Sequence, residues 1–320
     1  METALTATAG SRQRRRVPSD SAEARRSPAA RGALAAASCY LMWGLVPLYW
    51  TQLSEINPVE LIAHRHVGSL VVVAALVALQ GMIREVADAL RSRRILAVHL
   101  LSGTLLTVNW LVYVWGVNTG HVIETSLGYF LVPLANVAAG RFLLHEHLRR
   151  WQWVAIGFAA AGVAVMVAQV HRLPWIALIL AVTFSSYGVL RKRSPLGSLT
   201  GLTVETLLLS PVAVGFLVWQ QARGMGALGR VDGAHQALLL VAGLITAVPL
   251  LMFAYGARRI RLSTLGLLQY LGPTTQFSLG LLVYREAFSR DRMLGFGLIW
   301  TGLVLYTADN LVAEWRKSRG

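Results

Sequence analysis

Charge is scarce in this chain. Asp, Glu, Lys and Arg make up 14% of its 320 residues and hydrophobic residues 55%, where an ordinary soluble domain carries about 25% and about 45–50%. A soluble globular domain and a disordered chain are both excluded on that ground. Acidic residues are the scarcest, 15 against 30 Lys+Arg, which leaves a net charge of +15. Cysteine is nearly absent: Cys39 stands alone, so no internal disulfide, cysteine-based zinc site or iron–sulfur cluster can form. There is no GxxxxGK[ST] phosphate loop, and the longest break between apolar stretches, 220–235, has 16 residues; an ATP-hydrolysing domain is excluded and no cofactor is implied. GxSxG and HExxH are missing as well, so no enzyme nucleophile is nominated. His145-Glu146-His147 lacks the spacing that puts two imidazoles on one helix face and reads as a loop-edge histidine pair, not a metal site.

What is present is apolar sequence in long runs. A helix needs roughly 20 residues to cross a bilayer, and such stretches fall at 32–50, 59–79, 95–117, 122–144, 151–169, 173–190, 200–219, 236–257, 262–284 and 293–313. Backbone groups in lipid must be satisfied within each segment, so helices are expected even where Val and Ile are frequent. Nothing else in the chain could bury ten such segments, and the fold class expected is an all-α integral membrane protein. Residues 1–31, rich in Arg, Ser, Ala and Pro, read as a disordered basic tail; Val17, Pro18, Ser19 and Asp20 follow Arg14–Arg16 where an export signal would turn apolar.

The basic surplus then sorts by loop. With the tail inside, 23 of the 30 Lys+Arg fall at inside ends and six outside, while Arg65 lies within a span. Cytoplasmic loops retain Lys and Arg, so both termini are expected in the cytoplasm of a bacterial inner-membrane protein. The lipid bilayer, and not nucleic acid, is the partner that this charge implies.

The chain is duplicated. A shift of 140 residues superposes Gly103 on Gly243, Trp115-Gly116 on Tyr255-Gly256, Pro133 on Pro273, Gly140 on Gly280, Glu146 on Glu286, Gly157 on Gly297 and Gly162 on Gly302. With shifts of 145 and 144, Glu60 falls on Glu205 and Gly44 on Gly188. The expected units are 32–170 and 171–314, five spans each, with 315–320 as a cytoplasmic C-terminal tail. Because five is odd, the second copy enters the membrane from the opposite side, the inverted arrangement of secondary transporters with a solute site near the midplane between the copies.

Several stretches carry a resemblance: ELIAHR (60–65), Asn109-Trp110, ETSLGYFLVPLANV (124–137), VET (204–206), VPLL (248–251) and STLGLLQYLGPT (263–274). Together they resemble the RarD-type branch of the EamA family within the drug/metabolite transporter (DMT) superfamily, from about residue 31 to the C-terminus. The resemblance implies ten transmembrane helices in two EamA repeats and a permease or exporter, linked by name to chloramphenicol sensitivity, with no defined substrate. The arginine-rich tail departs from the pattern.

Charged groups within spans cost about 2.5–3.5 kcal/mol each on insertion scales, which singles out Glu60, Arg65, Glu124 and Glu205. Arg65, about 10 Å in from Pro58 at a rise of about 1.5 Å per residue, requires a partner on another helix, and Glu124 or Glu205 is the expected one. Such a pair either locks helices together or anchors an anionic group of a solute. Glu60 and His64 share a helix face as a potential proton relay, although Glu60 also suits the N-terminus of its own helix. Asn109, Trp110, Tyr113, Tyr129, Asn136, Gln269 and Tyr270, with Trp43 and Trp300, supply the aromatic walls and few polar groups that an organic solute needs; helix packing would use them equally well. Pro133, Pro249 and Pro273 predict kinks usable in a gate. Glu146 and Glu286 read as structural caps at the helix that follows each. The expected function is alternating-access transport of a small metabolite or drug-like solute, with protons as a possible second partner; the competing expectation is a non-transporting scaffold or receptor with a static charge network.

Overall fold

The computed structural model describes residues 28–119, 121–168, 173–283 and 290–319. Every regular element among them is helical. α1 (Pro28–Trp50) begins four residues before the expected span, because Pro28 occupies a first-turn position whose N–H would be unpaired anyway. Next come α2 (Pro58–Leu79) and α3 (Ile83–Arg91), a short amphipathic helix that the hydropathy pattern leaves as a loop. Its Val86 and Ala89 are buried with Val77, Leu196 and Val204. The first half continues with α4 (Arg93–Asn118), α5 (Val122–Phe142) and α6 (Arg150–Val167). The second half comprises α7 (Trp175–Arg193), α8 (Ser198–Ala222), α9 (Gly233–Ala257), α10 (Leu262–Gln269), α11 (Leu271–Leu282) and α12 (Arg290–Arg319).

Eight of these helices are individually long and apolar enough to cross a membrane. α5 and the α10–α11 pair, equivalent segments of the two halves, complete the ten expected spans. The break in the second of them lies at Tyr270. Pro273 has no N–H to give the Gln269 carbonyl, and the chain turns there through a tighter bond from Tyr270 N to Leu267 O, 3.2 Å. Pro133, the matching residue, sits inside an uninterrupted α5, and Pro249 lies inside an uninterrupted α9.

Helix packing respects the duplication. Matching α1, α2, α4, α5 and α6 to α7, α8, α9, α10–α11 and α12 turns the α1–α9 contact into α7–α4 and the α1–α11 contact into α7–α5, while α2–α8, α5–α10 and α6–α12 map onto themselves. That is the contact pattern of two copies related by a twofold axis. Small residues let these backbones touch, as expected where lipid provides no hydrophobic drive between helices. A Cβ on Gly243 of α9 would lie 2.1 Å from the Gly68 carbonyl carbon of α2. Nearby, Ser69 Oγ donates to Gly243 O at 3.2 Å and to Arg65 O at 2.6 Å. The central core is aromatic, with Phe184, Tyr187 and Phe253 in mutual contact, Tyr187 stacked on Phe253 at 5.6 Å and Tyr40 edge-on to Phe253 at 6.4 Å.

Two ends can be distinguished. At the basic end, where α1 begins, Arg193 Nη2 donates to Leu143 O at 2.5 Å and Arg258 Nη1 to Ser194 O at 2.6 Å. Lys192 Nζ bonds the carbonyls of Ala257, at 3.2 Å, and Ile260. At the opposite end Tyr49 donates to Leu238 O at 2.6 Å.

Candidate solute-binding site

Asn57 starts α2 by accepting from Val59 N at 2.9 Å and Glu60 N at 3.4 Å, with Pro58 in the first turn. Two turns further in, this helix buries Arg65. The guanidinium lies 3.7 Å from the ring centroid of Trp110 on α4 and 5.5 Å from that of Trp50 at the end of α1. Trp110 contacts Tyr113 edge-on at 6.1 Å, and Tyr113 meets Tyr129 of α5 at 5.4 Å. A planar cation on the face of an indole is attracted by the ring quadrupole, by about 2 kcal/mol or more when desolvated. That attraction leaves the edge of the guanidinium and its N–H donors for a further partner.

Trp110 is a wall common to two cavities. One, of about 100 Å³, lies toward the end opposite the basic loops and is lined by Trp43, Trp50, Tyr113, Tyr129 and Phe184, with Asn109, Gln269 and Gln276 as its amides and Pro273 beside them. The other, of about 50 Å³, is lined by Arg65, Ser69, Glu205, Thr206 and Thr246. Both lie between the halves, since their walls come from α1, α2, α4 and α5 on one side and α7 to α11 on the other.

The expected pairing of Arg65 with Glu124 or Glu205 is not what forms. Among the described residues Arg65 makes no ion pair. Glu205 is taken by Arg191, whose Nη1 lies 3.5 Å from Glu205 Oε2. Arg191 stands in the basic Arg191-Lys192-Arg193 run that ends α7, yet it is only 1% exposed. Its Nη2 donates to Ser198 O at 3.1 Å, its Nη1 approaches His99 Nδ1 at 3.5 Å, and His99 Nε2 meets Ser194 Oγ at 3.0 Å. Room for this guanidinium depends on Gly201, where a Cβ would lie 2.5 Å from Nη1. Arg191 and His99 escaped the sequence reading. The available signal was the four-residue link between α7 and α8, which sets the last turn of one against the first turns of the other.

The remaining candidates divide. Asn109 lines the larger cavity while Nδ2 donates to Leu180 O at 2.9 Å and Thr183 Oγ1 at 2.8 Å, bridging the halves. Gln269 lines the same cavity and accepts from Asn136 Nδ2 at 3.0 Å, so Asn136 supports the wall from behind. Tyr270 faces away: it packs with Leu127, Val137 and Phe296, and its hydroxyl donates to Phe130 O at 3.3 Å. Trp300 donates to Thr274 Oγ1 at 2.9 Å. Glu124 is buried in the first turn of α5 and lines neither cavity. Glu60 also stands apart from both, its Oε1 accepting from Ala227 N at 2.6 Å with His64 Nε2 3.6 Å away; Asn57, not Glu60, caps α2. Glu146 caps a helix as expected, though not the one that follows it. Its carboxylate accepts from Leu262 N, Ser263 N and Ser263 Oγ at 2.6, 3.0 and 2.7 Å, at the N-terminus of α10 in the other half. The N-terminus of α6 is served by Gln152 instead, which accepts from Arg149 N at 2.9 Å. Glu286 lies outside the described residues.

Comparison with known proteins identifies the family. The model of the EamA-like transporter family matches the chain twice, at residues 30–168 and 173–308. The chain belongs to the EamA-like transporter family. Within that family it is similar to Protein RarD of Streptomyces exfoliatus, 45% identical over 90% of this chain and 91% of that one. An uncharacterized transporter of Vibrio cholerae is 38% identical, covering 89% and 94% respectively. A crystal structure superposes with a TM-score of 0.67 at 20% identity, covering 86% of this chain and 98% of that one, and supports the fold alone. The EamA repeats and the RarD-type relatives make this a multi-pass membrane transporter of the drug/metabolite superfamily.

Proposed function

We propose that this EamA-family transporter moves a small organic anion with an apolar or aromatic body across the bacterial inner membrane by alternating access. The observation that carries the reading is Arg65: a buried guanidinium without an ion-pair partner among the described residues, lining the smaller cavity and seated on Trp110, the wall that this cavity shares with the larger one. A cation in that position costs too much to keep uncompensated, and a carboxylate, sulfonate or phosphate entering past Trp50 and Tyr113 would meet its free edge. The aromatic walls suit the body of such a solute, with Asn109 and Gln269 orienting it. Of the described residues lining these two cavities, Glu205 is the one carboxylate, so it is the group on which a proton gradient would act.

On this reading the basic end is cytoplasmic, by loop charge, and the larger cavity faces outward while the bonds of Lys192, Arg193 and Arg258 hold the inner end shut. The test is uptake and efflux of a panel of organic anions, cations and neutral solutes in proteoliposomes with and without an imposed pH gradient. Saturable movement of anions that disappears in Arg65→Ala supports the reading; a preference for cations, or full activity in Arg65→Ala, sinks it. Flux that needs the gradient in the parent and not in Glu205→Gln assigns coupling to Glu205. Access is tested separately: Cys39 is buried, so a cysteine placed at Gln269 reports alone, and its labelling rate should change when a transported anion is added. Labelling indifferent to every solute, to pH and to potential favours a static scaffold.

A further inference from the structure

A cavity of about 500 Å³ lies far from Arg65, at the basic end, between the start of α1, α10 and α12. Ala33, Leu267, Leu303 and Leu311 make its apolar wall, and Arg149, Arg259 and Arg261 stand along it. The three cations are not equivalent. Arg149 is satisfied, its Nε donating to Asp309 Oδ2 at 2.6 Å and its Nη2 to Asn310 Oδ1 at 2.7 Å. Arg261 Nη1 donates only to the neutral His147 carbonyl at 2.8 Å, and Arg259 Nη1 to Tyr255 O at 3.2 Å, with its guanidinium 3.4 Å from the Tyr255 ring centroid. Glu146, the nearby carboxylate, is occupied by the N-terminus of α10 and by Lys192 Nζ at 4.0 Å. Among the described residues neither Arg259 nor Arg261 has an ion-pair partner, so each keeps most of its five donors.

The duplication supplies an internal control. A shift of 140 places Tyr255, Arg259 and Arg261 on Trp115, Thr119 and His121 at the opposite end. There Thr119 Oγ1 donates back to Trp115 O at 2.8 Å, and His121 stacks on Trp115 at 5.4 Å. The same helix corner is therefore built without any arginine, and the fold does not need these two. The apolar wall also continues outward to Leu311, which is 62% exposed on the helix surface, so one site offers donors for an anion and a surface for hydrocarbon.

We propose that this cleft binds one anionic phospholipid of the leaflet at the basic end, its phosphate on Arg259 and Arg261 and an acyl chain along Leu267, Leu303 and Leu311. The ligand chemistry is a phosphate ester, and the apolar wall selects a lipid over the free ion. Basic pockets between helices at this depth are suited to such headgroups, each arginine adding about a fivefold gain at about 1 kcal/mol.

The experiment is thermal unfolding of the purified full chain in detergent with added phosphatidylglycerol, phosphatidylcholine or inorganic phosphate. It compares the parent with Arg259→Gln/Arg261→Gln, and with Arg93→Gln/Arg94→Gln, which removes two exposed charges from the same end outside the cleft. Phosphatidylglycerol should raise the melting temperature of the parent and of the Arg93/Arg94 variant alike, while the Arg259/Arg261 variant should need at least about tenfold more lipid for half the shift. Phosphatidylcholine should do nothing. An equal response from all three proteins overturns the proposal, and so does inorganic phosphate matching the lipid, which would leave a simple anion site. Should the double variant not fold, Arg259→Gln alone is compared, with native mass spectrometry counting retained phosphatidylglycerol: one lipid on the parent and fewer on the variant supports the site, equal counts refute it.

Discussion

Arg65 and Arg191 are both buried guanidiniums inside the bundle, 7% and 1% exposed, yet they are held in opposite ways. Arg191 faces a carboxylate, a carbonyl and an imidazole that all belong to the protein. Arg65 faces indole rings. A cation neutralised by its own chain has little left to offer a solute, whereas one held by π faces keeps its charge and its donor edge. Burial of charge alone therefore does not mark a binding site; how the charge is compensated does.

Breaking the committed pair should have the largest effect. Arg191→Met leaves Glu205 buried without its cation and should lower stability by about 3–5 kcal/mol, read as a loss of folded protein in size-exclusion chromatography and a lower melting temperature. Arg191→Met/Glu205→Met should recover most of that loss, because two apolar groups of similar size replace a buried pair at little cost; no recovery would mean that the bonds to Ser198 and His99 dominate. Arg65→Ala should do the reverse, leaving the melting temperature within a few degrees of the parent while abolishing flux in the proteoliposome assay. A milder change sharpens the contrast: Arg65→Lys keeps the charge but loses the planar stack, so half-saturating solute concentration should rise roughly tenfold with the protein intact. Smallest of all, Trp110→Leu should weaken solute binding by about 0.5–2 kcal/mol, measured by tryptophan-independent calorimetry, and should leave the stability of the Arg191 pair unchanged.

Much of this molecule can be read before it is folded. Hydropathy places nine of the spans within four residues of the helices, while α12 runs on to Arg319 through most of the expected C-terminal tail, and the 140-residue repeat anticipates which helices exchange contacts. The failures share a physical cause. Arg191 looks like a loop charge because it stands in an RKR run at a helix end, and only the depth at which α7 meets α8 decides that it turns inward. Arg65 lacks the carboxylate expected for it because partners across helices are set by the rotation and crossing of two rods, which spacing along one of them does not encode. Pro133 and Pro273 read identically, yet only the second breaks its helix. The short α3 is missed for another reason, since its apolar residues line a single face and average out against Arg84, Glu85 and Asp88.

The contact between Gly68 and Gly243 falls ten residues into α2 and ten into α9, near the middle of both. Two backbones already touching there cannot be pushed closer, and Ser69 ties them against separation. What the contact still permits is a tilt of one helix on the other. A tilt about a point halfway through the membrane moves the two faces of the bundle in opposite senses, so a gap that widens on one side must narrow on the other. Gly243→Ala would leave the cavities chemically intact and wedge the one contact about which such a tilt would turn.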